Sequence, residues 1–283
     1  MAQTKHEIQS LLSDAGSEPR HRFGQNFMID QNLVRLVAQA GQISASDFVI
    51  EVGPGTGTLT EELLANAGQV LAVEIDRDLA ALLRNRFAGA ANFTLIEGDA
   101  LAGKHALNPQ LLDAIKQAAG QMQPRKLVAN LPYNIASPLI IEMLIAGADL
   151  LAFTVQKEVA HRLRAQAGTE HYGPLSVMAQ SLAKVELLRT LNPQSFWPAP
   201  TIDSALVRLT REDRLGDDAG PFGAFVHTLF SFRRKTLRKG LNNAGHDAHE
   251  LLDATGLDGS KRPEEFSPEQ LLALYHAHRK TRK

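Results

Sequence analysis

The chain has 283 residues, 44% of them apolar, a formal net charge of −1 and no cysteine. That length and apolar content can build one large domain or a large one with a smaller partner, and the missing cysteines exclude disulfides, thiolate zinc sites and cysteine nucleophiles together. No apolar run approaches the roughly 18 residues of a membrane span, the N-terminus MAQTKHEIQSLLSDAG lacks a signal-peptide core and no HExxH pattern occurs, so a cytoplasmic protein with no metal and no membrane partner is expected.

The first patterned stretch is HRFGQNFMIDQNLV, residues 21–34, where Gln25 and Asn26 can serve as caps ahead of the helical run QNLVRLV. From Asp47 to Val207 short apolar runs then alternate with helical patterns. FVIEV, VLAVEI, FTLIEG, KLVANL and LAFTVQ read as strands, while LTEELLANA, LAALLRNRF, LLDAIKQAAGQM and PLIIEMLIAG repeat apolar residues at helical spacing. This order predicts βαβ units and an α/β fold with a parallel sheet covered on both faces. Beyond the helical LSVMAQSLA, the strand-like VELLRTL and SALVRL flank the proline-rich SFWPAPTID, which predicts an antiparallel addition at one sheet edge. Residues 211–221 read as a linker containing the acidic EDRLGDD.

After the linker, Phe222, Phe225, Val226, Leu229, Phe232, Leu237 and Leu241 fall on one helical stripe. The same wheel puts Arg234, Lys235, Arg238 and Lys239 opposite the stripe and Arg233 on it. HELLDATGL and SPEQLLALYHAHRK also read as helices, so the expected division is a domain over residues 1–210 and a smaller helical domain over 211–283. Five of the seven residues from Arg233 to Lys239 are basic, and the chain ends HRKTRK. Screening confines such a patch's field to about 10 Å, which suits local contact with a polyanion or a merely solvated face.

Within the first domain, FVIEVGPGTGTLTEELL is a strand, a glycine-rich turn and a helix. Gly53, Gly55 and Gly57 allow a tight turn and close approach of a ligand to the backbone. A dinucleotide loop would place its third glycine one residue later. Glu74 ends the next strand, 21 residues after Gly53, where a carboxylate can accept both hydrogen bonds of a ribose diol. Asp99 ends the third strand and can accept from an adenine amino group. Either acid alone could equally be a helix cap or a solvated charge. Ligands of open parallel sheets bind outside the carboxyl ends of the strands, where all these residues lie.

The EVGPGTG run (Glu51 to Gly57) resembles the first motif of class I S-adenosylmethionine-dependent methyltransferases. The resemblance implies a Rossmann-like sheet of seven strands with the last antiparallel, S-adenosylmethionine as methyl donor, Glu51 and Gly53 near its methionine end, Glu74 on the ribose and Asp99 facing the adenine. At the end of the fourth strand stands VANLPYNI, residues 128–135. Methylating an exocyclic base amine means drawing a planar, delocalised nitrogen toward tetrahedral geometry, and two acceptors off the ring plane favour that. The Asn130 side-chain oxygen and a nearby backbone carbonyl can supply them, Pro132 stiffens the loop, and Tyr133 offers a face on which a flipped base can stack. NLPY resembles the N/D-x-P-Y motif of amino-methyltransferases acting on adenine N6 or cytosine N4. Asn and Pro also suit a plain turn.

HRFGQNFMIDQNLV, TVQKEVAHRL, SFWPAPTIDSALVRL and FSFRRKTLRKGL are similar to segments of the ribosomal RNA adenine dimethyltransferases, over residues 20–275 or so. That family resemblance is strongest to the bacterial branch that dimethylates two adjacent adenosines near the 3′ end of 16S rRNA during small-subunit assembly. It implies that Asn26 and Met28 close over the cofactor, which also borders Gly55 and Asn130, and that Phe196 helps Tyr133 stack the target base; ordinary edge packing is the alternative for Phe196. It also implies RNA contacts from Arg233, Arg234, Lys235, Arg238 and Lys239, and a monomer is expected. Two departures fall on that segment: Phe232 stands where the family usually has Gln, and Lys239-Gly240 replaces an Asn-containing sequence. Two other functions share much of this pattern, a macrolide-resistance methyltransferase of large-subunit rRNA and an RNA-binding assembly checkpoint. The basic C-terminal segment favours the small subunit, and the intact NLPY loop favours catalysis.

Overall fold

In a computed structural model of the chain, residues 3–20, 23–103, 106–212 and 214–281 are described. His21 and Arg22 of the first motif, Asp213 of the linker and the last two residues of HRKTRK lie outside them. The chain forms two compact units, Met1–Ala160 with Glu186–Arg211, and His161–Val185 with Glu212–Lys283. The expected division at residue 210 leaves 161–185 in the first domain; these residues instead cluster with the second unit.

The first unit is organised by a seven-stranded sheet. Its strands are β1 (Phe48–Val52), β2 (Gln69–Glu74), β3 (Phe93–Glu97), β4 (Arg125–Asn130), β5 (Leu150–Gln156), β6 (Ala183–Leu191) and β7 (Ser204–Arg211). They lie in the order β3-β2-β1-β4-β5-β7-β6. The first five run parallel, and β7 pairs antiparallel with β5, with Ser204 opposite Gln156. All five β1 residues are buried, as a central strand covered on both faces requires. The helices of the first unit are α1 (Lys5–Asp14), α2 (Gln31–Ala40), α3 (Thr58–Leu64), α4 (Arg77–Arg86), α5 (Pro109–Gly120) and α6 (Ala136–Ile145), and α7 (Lys157–Leu163) begins in it. Leu33, Val37, Leu59 and Leu63 of α2 and α3 form one core cluster with Val49, Val70, Val128 and Ala152 of the sheet. Leu79, Leu111, Ile115 and Leu139 of α4 to α6 are also fully buried. Asp30 caps α2 through the amides of Asn32 and Leu33, so Gln25 and Asn26 are not its caps.

Helix α1 carries a signal the patterns above did not use. Thr4 and Glu7 form a capping box, each side chain bonded to the other's backbone amide. Its Ile8 and Leu12 pack with Phe27 and Leu79, and Trp197 covers them. A two-stranded ribbon pairs Phe27 with Trp197 and Met28 with Phe196.

The second unit contains α8 (Pro174–Leu182), α9 (Ala219–Ser231), α10 (Leu237–Asn243), α11 (Ala248–Thr255) and α12 (Pro268–Thr281). Its core joins Phe222 and Phe225 of α9 to Tyr275 of α12, with ring centroids 5.4 and 5.6 Å apart. The Tyr172 hydroxyl donates to the Phe266 carbonyl at 2.8 Å. The expected linker is shorter than residues 211–221, because α9 already starts at Ala219. The single stripe from Phe222 to Leu241 is also corrected. α9 ends at Ser231, whose hydroxyl turns back to the Thr228 carbonyl, and Thr236 opens α10 by accepting from the Lys239 amide. Residues 232–236 lie between two helices, so Arg233 is exposed rather than on a buried face. Among the described residues, no helix is long and apolar enough to cross a membrane.

Candidate functional site

The carboxyl ends of β1 to β4 open into a cleft, the place where open parallel sheets bind their ligands. Gly53, Gly55, Glu51, Glu74, Asp99, Asn130, Pro132, Asn26 and Met28 all line it. The glycine loop needs its glycines twice over. Gly53 and Gly55 have φ of 71° and 61°, and a Cβ on Gly53 would lie 2.9 Å from the Pro132 ring, one on Gly55 2.8 Å from Phe27. Thus the first strand's turn is packed directly against the NLPY loop on one side and the Phe27–Met28 strand on the other.

Glu74 is 3% exposed. Its carboxyl accepts from the amides of Gly55 at 3.2 Å and Asp76 at 2.9 Å, one to each oxygen, so a lone pair on each remains for a diol. Burial pushes its pKa up from 4.5 to about 7 against those amide bonds. Glu51 is buried as well and accepts from the Thr60 hydroxyl at 2.6 Å. Desolvation, opposed by that bond and reinforced by the Glu74 charge, raises its pKa to about 8. Asp99 is exposed at the rim, one oxygen accepting from the Leu101 amide. An acidic, glycine-floored cleft with a diol acceptor at a strand end fits a positively charged nucleoside sulfonium.

Asn130 is held from two sides. Its Nδ2 donates to the Asn26 carbonyl at 2.6 Å, and its Oδ1 accepts from the Thr154 hydroxyl. Tyr133 is half-buried, and its hydroxyl bonds the Ser204 hydroxyl at 2.6 Å; burial, partly offset by that bond, raises its pKa. Phe196 is 2% exposed and sits in the core cluster with Met28, Leu33 and Val34, as the edge-packing alternative has it. The basic residues Arg233, Arg234 and Lys235 are exposed in the turn before α10, and Arg238 and Lys239 are exposed on its first turn; they belong to the second unit.

Several residues that hold the site lie inside motifs quoted above (Gln25, Thr154 and Ser204) or outside them (Gln3 and Arg20), and none has its partner in the local pattern. Gln3 Oε1 accepts from the hydroxyls of Thr56 and Thr58 in the glycine loop. Arg20 pairs with Asp76 and Asp78 at the start of α4, and Gln25 adds a bond to Asp76. Thr154 and Ser204 are fully buried strand residues that look like ordinary β-formers. Each acts on a partner dozens of positions away, which no local pattern encodes.

A family model described as ribosomal RNA adenine dimethylase matches residues 16–280. The chain is similar to ribosomal RNA small subunit methyltransferase A of Magnetococcus marinus, 41% identical over 273 residues and 94% of each chain. To the protein of that name in Moorella thermoacetica it is 35% identical with the same coverage. Among solved structures it resembles the 23S rRNA methyltransferase ErmE, with a TM-score of 0.64, 26% identity and coverage of 90% of this chain and 100% of that one. A dimethyladenosine transferase from Plasmodium falciparum, 24% identical with a TM-score of 0.69 over 90% of this chain and 98% of its own, has the same fold.

Proposed function

The chain belongs to the ribosomal RNA adenine dimethylase family, and from that premise we propose that it dimethylates N6 of two adjacent adenosines near the 3′ end of 16S rRNA in the assembling small subunit. It is an S-adenosylmethionine-dependent rRNA adenine dimethyltransferase of class I fold. The preference for the small subunit rests on relatives of that name at 35–41% identity, against 26% for the 23S enzyme.

The observation that carries the catalytic reading is the contact of Pro132 with Gly53, which fixes the Asn130 amide beside the loop where a cofactor would lie. When bound, S-adenosylmethionine supplies an electrophilic methyl group. Glu74 would hold the ribose diol, Asp99 the adenine, and Glu51 with Gly53 and Gly55 the methionine end, with Asn26 and Met28 covering them. Asn130 Oδ1 keeps one lone pair for an N–H of the target amine, and a backbone carbonyl of the same loop takes the other, so the nitrogen is drawn from planarity as it attacks. The methylated nitrogen is then acidic enough to lose its proton to water. Tyr133, its hydroxyl anchored by Ser204, would present its ring to the flipped adenine. Arg233, Arg234, Lys235, Arg238 and Lys239 would hold RNA phosphates. A monomer and a cytoplasmic location complete the reading, the location following from the substrate.

Incubation with labelled S-adenosylmethionine and unmethylated small or large subunits, followed by nucleoside mapping, tests the reading. Two neighbouring dimethyladenosines in small-subunit RNA are expected. Label confined to large-subunit RNA would transfer the assignment to 23S rRNA.

A further inference from the structure

Thr154 lies on β5 as the register partner of Asn130 on β4. It is fully buried, its carbonyl accepts from the Leu131 amide at 3.3 Å, and its hydroxyl donates to Asn130 Oδ1. The opposite end of the same amide, Nδ2, is held by the Asn26 carbonyl. An amide side chain is nearly symmetric in shape, and only its hydrogen-bond partners decide which end is the oxygen. A hydroxyl can donate or accept, but the Asn26 carbonyl can only accept. Together they leave one arrangement: Nδ2 toward Asn26, Oδ1 toward Thr154, and the remaining Oδ1 lone pair as a fixed acceptor at the cleft.

We propose that Thr154 is a positioning residue for methyl transfer: the Asn26 carbonyl fixes which end of the Asn130 amide is the oxygen, and the Thr154 hydroxyl pins that oxygen so that its remaining lone pair faces the target amine. The inference rests on the assignment of Asn130 above. Asn26 belongs to the segment lining the cleft, whereas Thr154 belongs to the central sheet and is the rigid half of the clamp. Valine has almost the shape of threonine and high strand preference, so Thr154→Val removes the hydroxyl while keeping the packing; serine restores it.

The experiment is a set of single-turnover rates on unmethylated small subunits, with S-adenosylmethionine affinities and thermal melts for each variant. Thr154→Val should slow the chemical step about five- to tenfold, the rate equivalent of one neutral hydrogen bond, with cofactor affinity changed less than twofold. Thr154→Ser should recover most of the rate. In an Asn130→Ala background, Thr154→Val should cost less than twofold more, because a residue acting through Asn130 has nothing left to orient. An unchanged rate in Thr154→Val, or the same loss in both backgrounds, overturns the proposal. If Asn130→Ala itself leaves the rate intact, the assignment of Asn130 falls first and the role of Thr154 with it.

Discussion

Glu51 and Glu74 are two carboxyls kept in one buried site, and their protonation links stability to ligand binding. Their pKa values rise from 4.5 in a free chain to about 8 and about 7. The folded ligand-free protein therefore holds protons that the unfolded chain releases, so the stabilisation is full below about pH 4.5 and is lost as pH rises through 7 and 8. Melting temperature should fall over that window, and Glu51→Gln should flatten the fall by removing the higher step. A Glu51→Gln melting curve parallel to the parent's from pH 5 to 8 would show that Glu51 titrates elsewhere. A ribose diol donates to Glu74 and so favours its ionised form. Glu74→Ala should then weaken S-adenosylmethionine binding by about 1.5–3 kcal/mol. The parent's advantage over Glu74→Gln should grow from pH 6 to pH 8. Calorimetry at the two pH values separates this from titration of the ligand itself, which is common to both proteins.

At the scale of elements, what was legible followed from covering. Strands buried on both faces read as continuous apolar runs, and β1, β2 and β5 are buried along nearly their whole length; β3, at the sheet edge, has no buried residue and was legible only from its apolar FTLI run. The basic segment was misread because Leu237 and Leu241 fall in phase with the stripe of α9 even though the chain breaks between them. Only the capping role of Thr236 marks the new start, and a threonine inside RRKTLRK is an inconspicuous cap. Phe196 shows another limit: its motif suggests stacking, while its burial in the cluster with its register partner Met28 is a tertiary outcome no local pattern encodes. Thr154 and Ser204 stayed hidden because a hydroxyl on a buried strand has no periodic signature. The corrected geometry makes the basic residues a compact exposed turn, which sharpens its test. Changing Arg234, Lys235 and Arg238 to Glu should weaken RNA binding and flatten the plot of log affinity against log salt by roughly 0.7–0.9 per lost phosphate contact. Cofactor affinity should stay within twofold, since the cleft residues lie in the first unit. Equal salt slopes for variant and parent would mean that the turn is only solvated.

At the scale of the molecule, the second unit is built from two separated stretches of chain, and this changes what a truncation does. α8 lies in the first stretch, yet its apolar side chains Leu175, Val177, Met178 and Leu182 are buried. The Met178 methyl sits so close to Gly223 of α9 that a Cβ there would lie 3.2 Å from it. A variant ending at Arg211 keeps α8 and removes α9 and α12. Each large apolar side chain returned to water forfeits about 1.5–3 kcal/mol of burial, and several together are comparable with the 5–15 kcal/mol that holds a typical domain. That variant should bind a hydrophobic dye strongly and self-associate at micromolar concentration. Adding Leu175→Gln, Met178→Lys and Leu182→Gln should suppress both effects, and S-adenosylmethionine affinity should survive in the monomeric product because every cleft residue is retained. A truncated chain that stays monomeric, binds no dye and melts like the parent would show that α8 does not depend on the helices after Arg211, and the boundary near residue 210 would stand as a true domain limit.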